Sequence, residues 1–223
     1  MQPNVDRGYK GIGMEGRIAA WYARNTARDM PDFVALAQRV TAALPPGSCI
    51  LEVAPGPGYL AIEIARRGEY QVTGLDISHT FVEIATRNAR EAHVDIDFRQ
   101  GNASAMPLPA STFDLILCRA AFKNFSQPLA AMNEMHRVLK PGGRALILDL
   151  RKDASMNDIN AYIKQSELGC ANSIIYRMTF RYLLLPRAYS RQQFMDMASH
   201  SAFAGAGIDA SGIGFEVTLQ KDQ

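Results

Sequence analysis

The chain has 223 residues, 48% hydrophobic and 21% charged, with a net charge of +2 and an isoelectric point near 8.5. That is enough chain for one sizeable domain with its own core, and the charge is too mild and scattered for a nucleic-acid track. No run approaches a membrane span, the amino terminus MQPNVDRGYKGIGMEGR has no apolar signal core, and no membrane partner is expected.

The three cysteines, Cys49, Cys118 and Cys170, form no CxxC or Cys/His cluster, so no metal is expected. Cys49 and Cys118 sit in apolar strand-like runs and read as buried, reduced thiols, which points to a cytoplasmic location.

Residues 1–15 are glycine-rich and polar and read as a loose arm. Helical patterns follow at 15–29 and 32–44; in the second, Phe33, Leu36, Ala37, Val40 and Leu44 recur at threes and fours. Pro45-Pro46-Gly47 ends it. From residue 49 strands alternate with helices. Strands are expected at 49–54, 71–78, 95–102, 113–120 and 144–151, with helices at 59–68, 79–92 and 128–140 between them, the last stopped by Pro141-Gly142-Gly143.

Such βαβ alternation predicts an α/β three-layer, Rossmann-like, mostly parallel seven-stranded sheet with its ligand crevice at the carboxyl ends of the strands. Helices at 156–169, 173–185 and 190–203 read as a lid inserted before two final strands, 206–214 and 215–221. The whole is expected to be a single domain: arm and helices 1–47, cofactor-binding core 48–152, helical lid 153–200 and final strands 201–223.

The chemistry concentrates in LEVAPGPGYL, residues 51–60, a strand running through Gly56 and Gly58 into a helix. Exposed amides and a positive helix end face any ligand there, and glycine lets the backbone approach it closely. Asp76 ends the second strand 18 residues after Gly58. A carboxylate at that place can accept from both ribose hydroxyls; alone it would be a cap beside Ser78. A nicotinamide cofactor on the same sheet would show GxGxxG, which Gly56, Gly58 and Ala61 meet in part.

ILEVAPGPG, VTGLDIS, FRQGNASAMPLPASTFDLILCRAAF, KNF and RVLKPGGRALILD follow one another in that order between about residues 48 and 150. In this order they resemble class I S-adenosylmethionine-dependent methyltransferases, in particular the ubiquinone/menaquinone-biosynthesis type that acts on small molecules. The resemblance implies S-adenosyl-L-methionine as cofactor. It gives Glu52, Ala54, Gly56 and Gly58 to the loop around its methionine part, Asp76 to the ribose, and Ile77 to the adenine face. Asn102 and Ala103 would meet the adenine edge, and Arg119 would lie along the cofactor through its backbone.

Two departures stand out. Ala54 replaces the first glycine, which requires a negative φ or tolerated strain. Lys123-Asn124 replaces a histidine pair near the substrate face, so the family's catalytic assignments do not transfer.

The expected reaction moves a methyl group to a small organic acceptor by in-line displacement, with alignment supplying about 7–11 kcal/mol. A nicotinamide-dependent oxidoreductase and a non-catalytic cofactor-binding protein are the alternatives. Asp149, at the carboxyl end of the fifth strand, is the candidate base. His79, His93, His136 and His200 read as surface or capping residues.

Tyr9, Trp21 and Tyr22 from the amino-terminal segment, and Tyr176, Arg177, Phe180, Arg181 and Tyr182 from the insertion, either bury an aromatic stripe or close a pocket over the methyl group. Arg177 or Arg181 would then hold an acidic or phenolate acceptor, with Lys123 as a further anion holder.

Overall fold

The computed structural model describes residues 8–10, 13–165 and 177–223. Helix α1 (Gly16–Thr26) runs through a 3₁₀ turn into α2 (Met30–Thr41). The alternating region follows: β1 (Cys49–Val53), α3 (Tyr59–Ala65), β2 (Gln71–Asp76), α4 (His79–Glu91), β3 (Asp97–Gln100), β4 (Phe113–Arg119), α5 (Pro128–Val138) and β5 (Leu139–Leu150). Helix α6 (Met156–Gln165) lies in the insertion, followed by a π turn at Phe180–Leu184 and a 3₁₀ turn at Leu185–Arg187. Helix α7 (Arg191–Ser199) then leads to β6 (Gly207–Ser211) and β7 (Gly214–Gln220).

The seven strands form one sheet in the order β3-β2-β1-β4-β5-β7-β6. The first five are mutually parallel, while β7 inserts antiparallel between β5 and β6. The order reverses between β1 and β4, which makes their carboxyl ends the switch point where a crevice opens.

Side chains alternate between two cores, as a strand's period of two requires. Leu51, Val53, Ile116, Cys118 and Ile147 face α5 and α7, whose Met132, Met135, Phe194 and Ala198 complete that core. Ile50, Leu115, Leu117 and Leu146 face the opposite way, onto Phe33, Leu36, Ala37 and Val40 of α2 and Leu60, Ala61 and Ile64 of α3. A sheet covered on both faces accounts for the near-continuous apolar run of β1 and β4.

Several boundaries shift by a few residues, and one shift follows from strand pairing. Helix α5 ends at Val138, two residues early, because Leu139 is already paired with Phe113 of β4. The Pro141-Gly142-Gly143 stretch therefore lies inside β5, where the register shifts and Gly142 turns at φ 76°. The insertion folds around its own small core of Ile159, Ile163, Phe180 and Leu185.

Candidate functional site

Beyond Val53 the chain enters the switch-point crevice with three positive φ angles: 57° at Ala54, 55° at Gly56 and 80° at Gly58. Ala54 is thus strained rather than extended, at a cost of about 1–2 kcal/mol. Its amide donates to Leu75 O at 2.8 Å, which ties the turn to β2. Gly58 caps α3, and the Ala61 amide in the first turn of that helix is taken up by Glu52.

Two carboxylates lie buried under this turn. Glu52 is 3% exposed, and its Oε2 has no hydrogen-bond partner. Burial pushes its carboxyl up to about 8, against the pull of the Ala61 amide and the Arg119 charge. Asp76 accepts from Gly56 N at 3.0 Å and from Ser78 N at 2.9 Å. Burial raises it to about 6, opposed by those same amides. Ser78 in turn caps α4 by accepting from Phe81 N.

The adjoining positions form a rim. Ile77 is 37% exposed. Asn102 folds its Oδ1 back onto Ser104 N at 2.9 Å, and Gly8 packs so closely on its amide that a Cβ there would fall within 2.6 Å. Ala103 is half-buried against the core. Arg119 turns its guanidinium onto the Phe33 ring, 4.4 Å from the centroid. Ala120, next in line, turns sharply at φ 58°.

Lys123 and Asp149 hold each other. Their Nζ–Oδ1 distance is 2.8 Å, and both side chains are buried, 7% and 3% exposed. Asp149 also accepts from the Lys123 and Leu150 amides, while Lys123 donates to Ala120 O. This corrects two expectations: Asp149 is not a free base, and Lys123 is buried in a pair rather than open to an anionic substrate.

Tyr9 forms an antiparallel bridge with Phe125, and its half-buried phenol interacts electrostatically with Tyr22, Asp76, Asp149 and Arg187. Tyr22 packs edge-on to Phe81 at 5.8 Å. Trp21, by contrast, is 60% exposed. Ala19 and Ala23 bury α1 against Phe81 and Ile84 of α4, and a side chain two positions from each points away.

Arg177, Arg181 and Tyr182 are exposed, with Arg181 lying over the Tyr182 ring, while Phe180 is buried in the insertion. Tyr176 lies outside the described residues. Lys10 donates its Nζ to the Tyr189 hydroxyl at 3.0 Å, a contact with no sequence signal beyond Lys10's place beside Tyr9.

The histidines stay outside: His79 pairs with Glu83 on the surface, and His136 stacks on Phe203. Cys118 is buried and Cys49 half-buried; both are free thiols. Among the described residues no group of three or more His, Cys, Asp or Glu side chains could hold a metal ion, and no helix is long and apolar enough to cross a membrane.

A turn of positive φ between a helix amino terminus and two buried acids, one with an orphaned oxygen, suits a ligand with hydroxyls and an ammonium group. That combination, with an exposed Ile77 at the strand end, fits an adenosyl sulfonium. Residues 51–147 match the family described as a methyltransferase domain. Over that segment the chain is similar to methyltransferases, and its sheet has the fold of the S-adenosylmethionine-dependent class.

Among curated proteins it is 35% identical over 107 residues to a demethylmenaquinone methyltransferase of Deinococcus radiodurans, covering 48% of this chain and 44% of that one. A demethylmenaquinone methyltransferase of Chlorobaculum tepidum is 33% identical over 141 residues, 62% of this chain and 57% of that one. The chain thus spans about half the length of the curated relatives it matches. In fold it is similar to an S-adenosylmethionine-dependent methyltransferase of Methanococcus maripaludis, with TM-score 0.72, 18% identity and 96% of each chain covered.

Proposed function

We propose that the protein transfers a methyl group from S-adenosylmethionine to a small organic acceptor, chiefly by positioning. The observation that carries this is the pair of buried acids at the glycine turn. A carboxylate taken out of water is costly unless a partner meets it, and Glu52 keeps one oxygen unmet. Glu52, Ala54, Gly56 and Gly58 would cradle the methionine part, with the ammonium group toward Glu52. Asp76 would accept from the ribose hydroxyls, Ile77 would cover one adenine face, Asn102 and Ala103 would meet its edge, and the Arg119 backbone would border the sulfur side.

The bound cofactor supplies an already activated methyl group on sulfur. The chain's own part is to align the acceptor and exclude water, which the arm at Tyr9 and the insertion at 153–200 would share as a lid. No general base is assigned, since Asp149 is committed to Lys123.

Equilibrium dialysis with S-adenosylhomocysteine should show binding that weakens more than about tenfold in Asp76→Ala, a loss of charged hydrogen bonds. Labelled methyl should then pass to a member of a phenol, quinol and amine panel. Failure to bind ends the proposal, tight binding of reduced nicotinamide dinucleotide instead would favour an oxidoreductase, and binding without transfer a non-catalytic protein.

A further inference from the structure

Helix α1 packs on the molecule through one face. Ala19 and Ala23 bury that face against Phe81 and Ile84 of α4, and the Tyr59 hydroxyl donates to Ala23 O at 3.2 Å. The opposite face carries Arg17, Trp21 and Arg24 at steps of four and three, a single stripe at helical pitch. Arg28, exposed in the 3₁₀ turn that follows, lies four positions past Arg24, and Ile18 flanks the stripe at 46% exposed. Trp21 is 60% exposed, and it is the only tryptophan in the sequence.

The stripe is cationic, and nothing in the fold answers it. None of Arg17, Arg24 and Arg28 makes an ion pair with another described residue. Glu15, the acid before the helix, is spent on the first turn of α4, accepting from His79 N and Thr80 N at 3.1 Å. Asp29 follows Arg28 and lies a third of a turn off the stripe. An indole and three guanidinium groups thus face water on a helix anchored without them. The indole forfeits there the burial of a large apolar body.

We infer that this face of α1 docks on an anionic lipid surface, Trp21 entering the headgroup layer and Arg17, Arg24 and Arg28 meeting phosphates. An indole favours the boundary between water and lipid, where its ring and its N–H are both served. Arginine lays its stem along the apolar layer and keeps its guanidinium on the phosphates. The expectation of no membrane partner rested on the lack of a spanning run, which surface contact does not need. Charge selects the occupant. A second copy on the same face would set arginine against arginine, and a nucleic acid would leave Ile18 without an apolar partner. Tyr22, beside Trp21, lies 3.9 Å from where a Cβ on Gly56 would stand, so the docking face and the crevice share one helix.

Trp21 reports on the contact directly. Its emission should shift to the blue on vesicles of phosphatidylcholine with about a third phosphatidylglycerol, and brominated phosphatidylcholine should quench it. Vesicles of phosphatidylcholine alone should bind more than about tenfold less tightly, since each arginine near an anionic surface is worth about fivefold. Added salt should weaken the anionic binding.

In co-sedimentation, Arg17→Gln/Arg24→Gln should lower affinity for the anionic vesicles about 25-fold, and Trp21→Ala about tenfold. Arg17→Lys/Arg24→Lys keeps the charge and should bind within about threefold of the wild type, which separates loss of charge from loss of fold. No blue shift on anionic vesicles, equal binding to neutral ones, or binding that survives Arg17→Gln/Arg24→Gln overturns the inference. Polyglutamate or an oligonucleotide shielding Trp21 from iodide, where anionic vesicles do not, would also overturn it and assign the face to a macromolecule.

Discussion

A Cβ on Gly58 would come within 2.8 Å of the Phe98 ring and 3.0 Å of the Ala85 methyl, whereas one on Gly56 would meet Tyr22 and Phe81 at an ordinary 3.9 and 4.0 Å. Both residues have positive φ, but only Gly58 is also wedged between α4 and β3. Gly58→Ala should therefore cost overpacking as well as strain, about 2–4 kcal/mol, read as a lower urea midpoint. Gly56→Ala should cost about 1 kcal/mol, the strain of a positive φ without overpacking. Equal destabilisation by the two would refute the distinction.

Glu52 carries a pH signature. Its ordinary value is 4.5 and its folded value about 8, so between those two the unfolded chain sheds a proton that the folded one keeps. Stability should fall as pH rises through that window and level off above it. Glu52→Gln should flatten the fall by the order of a few kcal/mol, leaving the smaller slope of Asp76 below about 6. Identical melting profiles from pH 5 to 8.5 would sink this assignment.

At the scale of elements, Lys123–Asp149 fastens the turn after β4 to the end of β5. Through Ala120 O it also supports the sharp bend that follows β4. Removing one partner strands a buried charge. Lys123→Met should cost about 3–5 kcal/mol, and the double variant Lys123→Met/Asp149→Leu clearly less than the two single costs added together. Additive costs in urea melts would show that the charges act independently.

The pair illustrates what a sequence pattern conveys. Hydrophobic period fixes which face of β4 or β5 is buried, so the strands were legible from residues such as Leu115, Ile116 and Ile147. It does not say which polar residue 26 positions away will meet Lys123 across a strand pair. The early end of α5 was hidden for a similar reason. Lys140 and Pro141 read as a helix end until Leu139 is seen pairing with Phe113, a contact local propensity does not encode.

For the whole molecule, the turn and its acids were legible because their spacing is dictated by one βαβ unit, from Glu52 through Gly58 to Asp76. The strap at residues 8–10 was not. Gly8, Tyr9 and Lys10 hold the turn after β4 through backbone hydrogen bonds that many sequences could make, and a glycine-rich terminus gives no pattern to read.

The same geometry makes the crevice a joint between parts. β1 and β2 supply the glycine turn and its acids, residues 8–10 pair with the turn after β4, and α1 packs against α4 through Ala19, Ala23, Phe81 and Ile84. A ligand touching all of them stabilises the native state by mass action, about 2.7 kcal/mol at a hundred times its dissociation constant. For a chain of this size that corresponds to a rise of about 5–10 °C in melting temperature. Hydrogen exchange should slow most at the amides of Gly56, Gly58 and Ser78 and at Lys10, whose hydrogen bond to Asn124 holds the strap. Slowing at the glycine turn alone would mean that the strap does not close over the cofactor; a rise in melting temperature without slowing at the turn would place the ligand elsewhere.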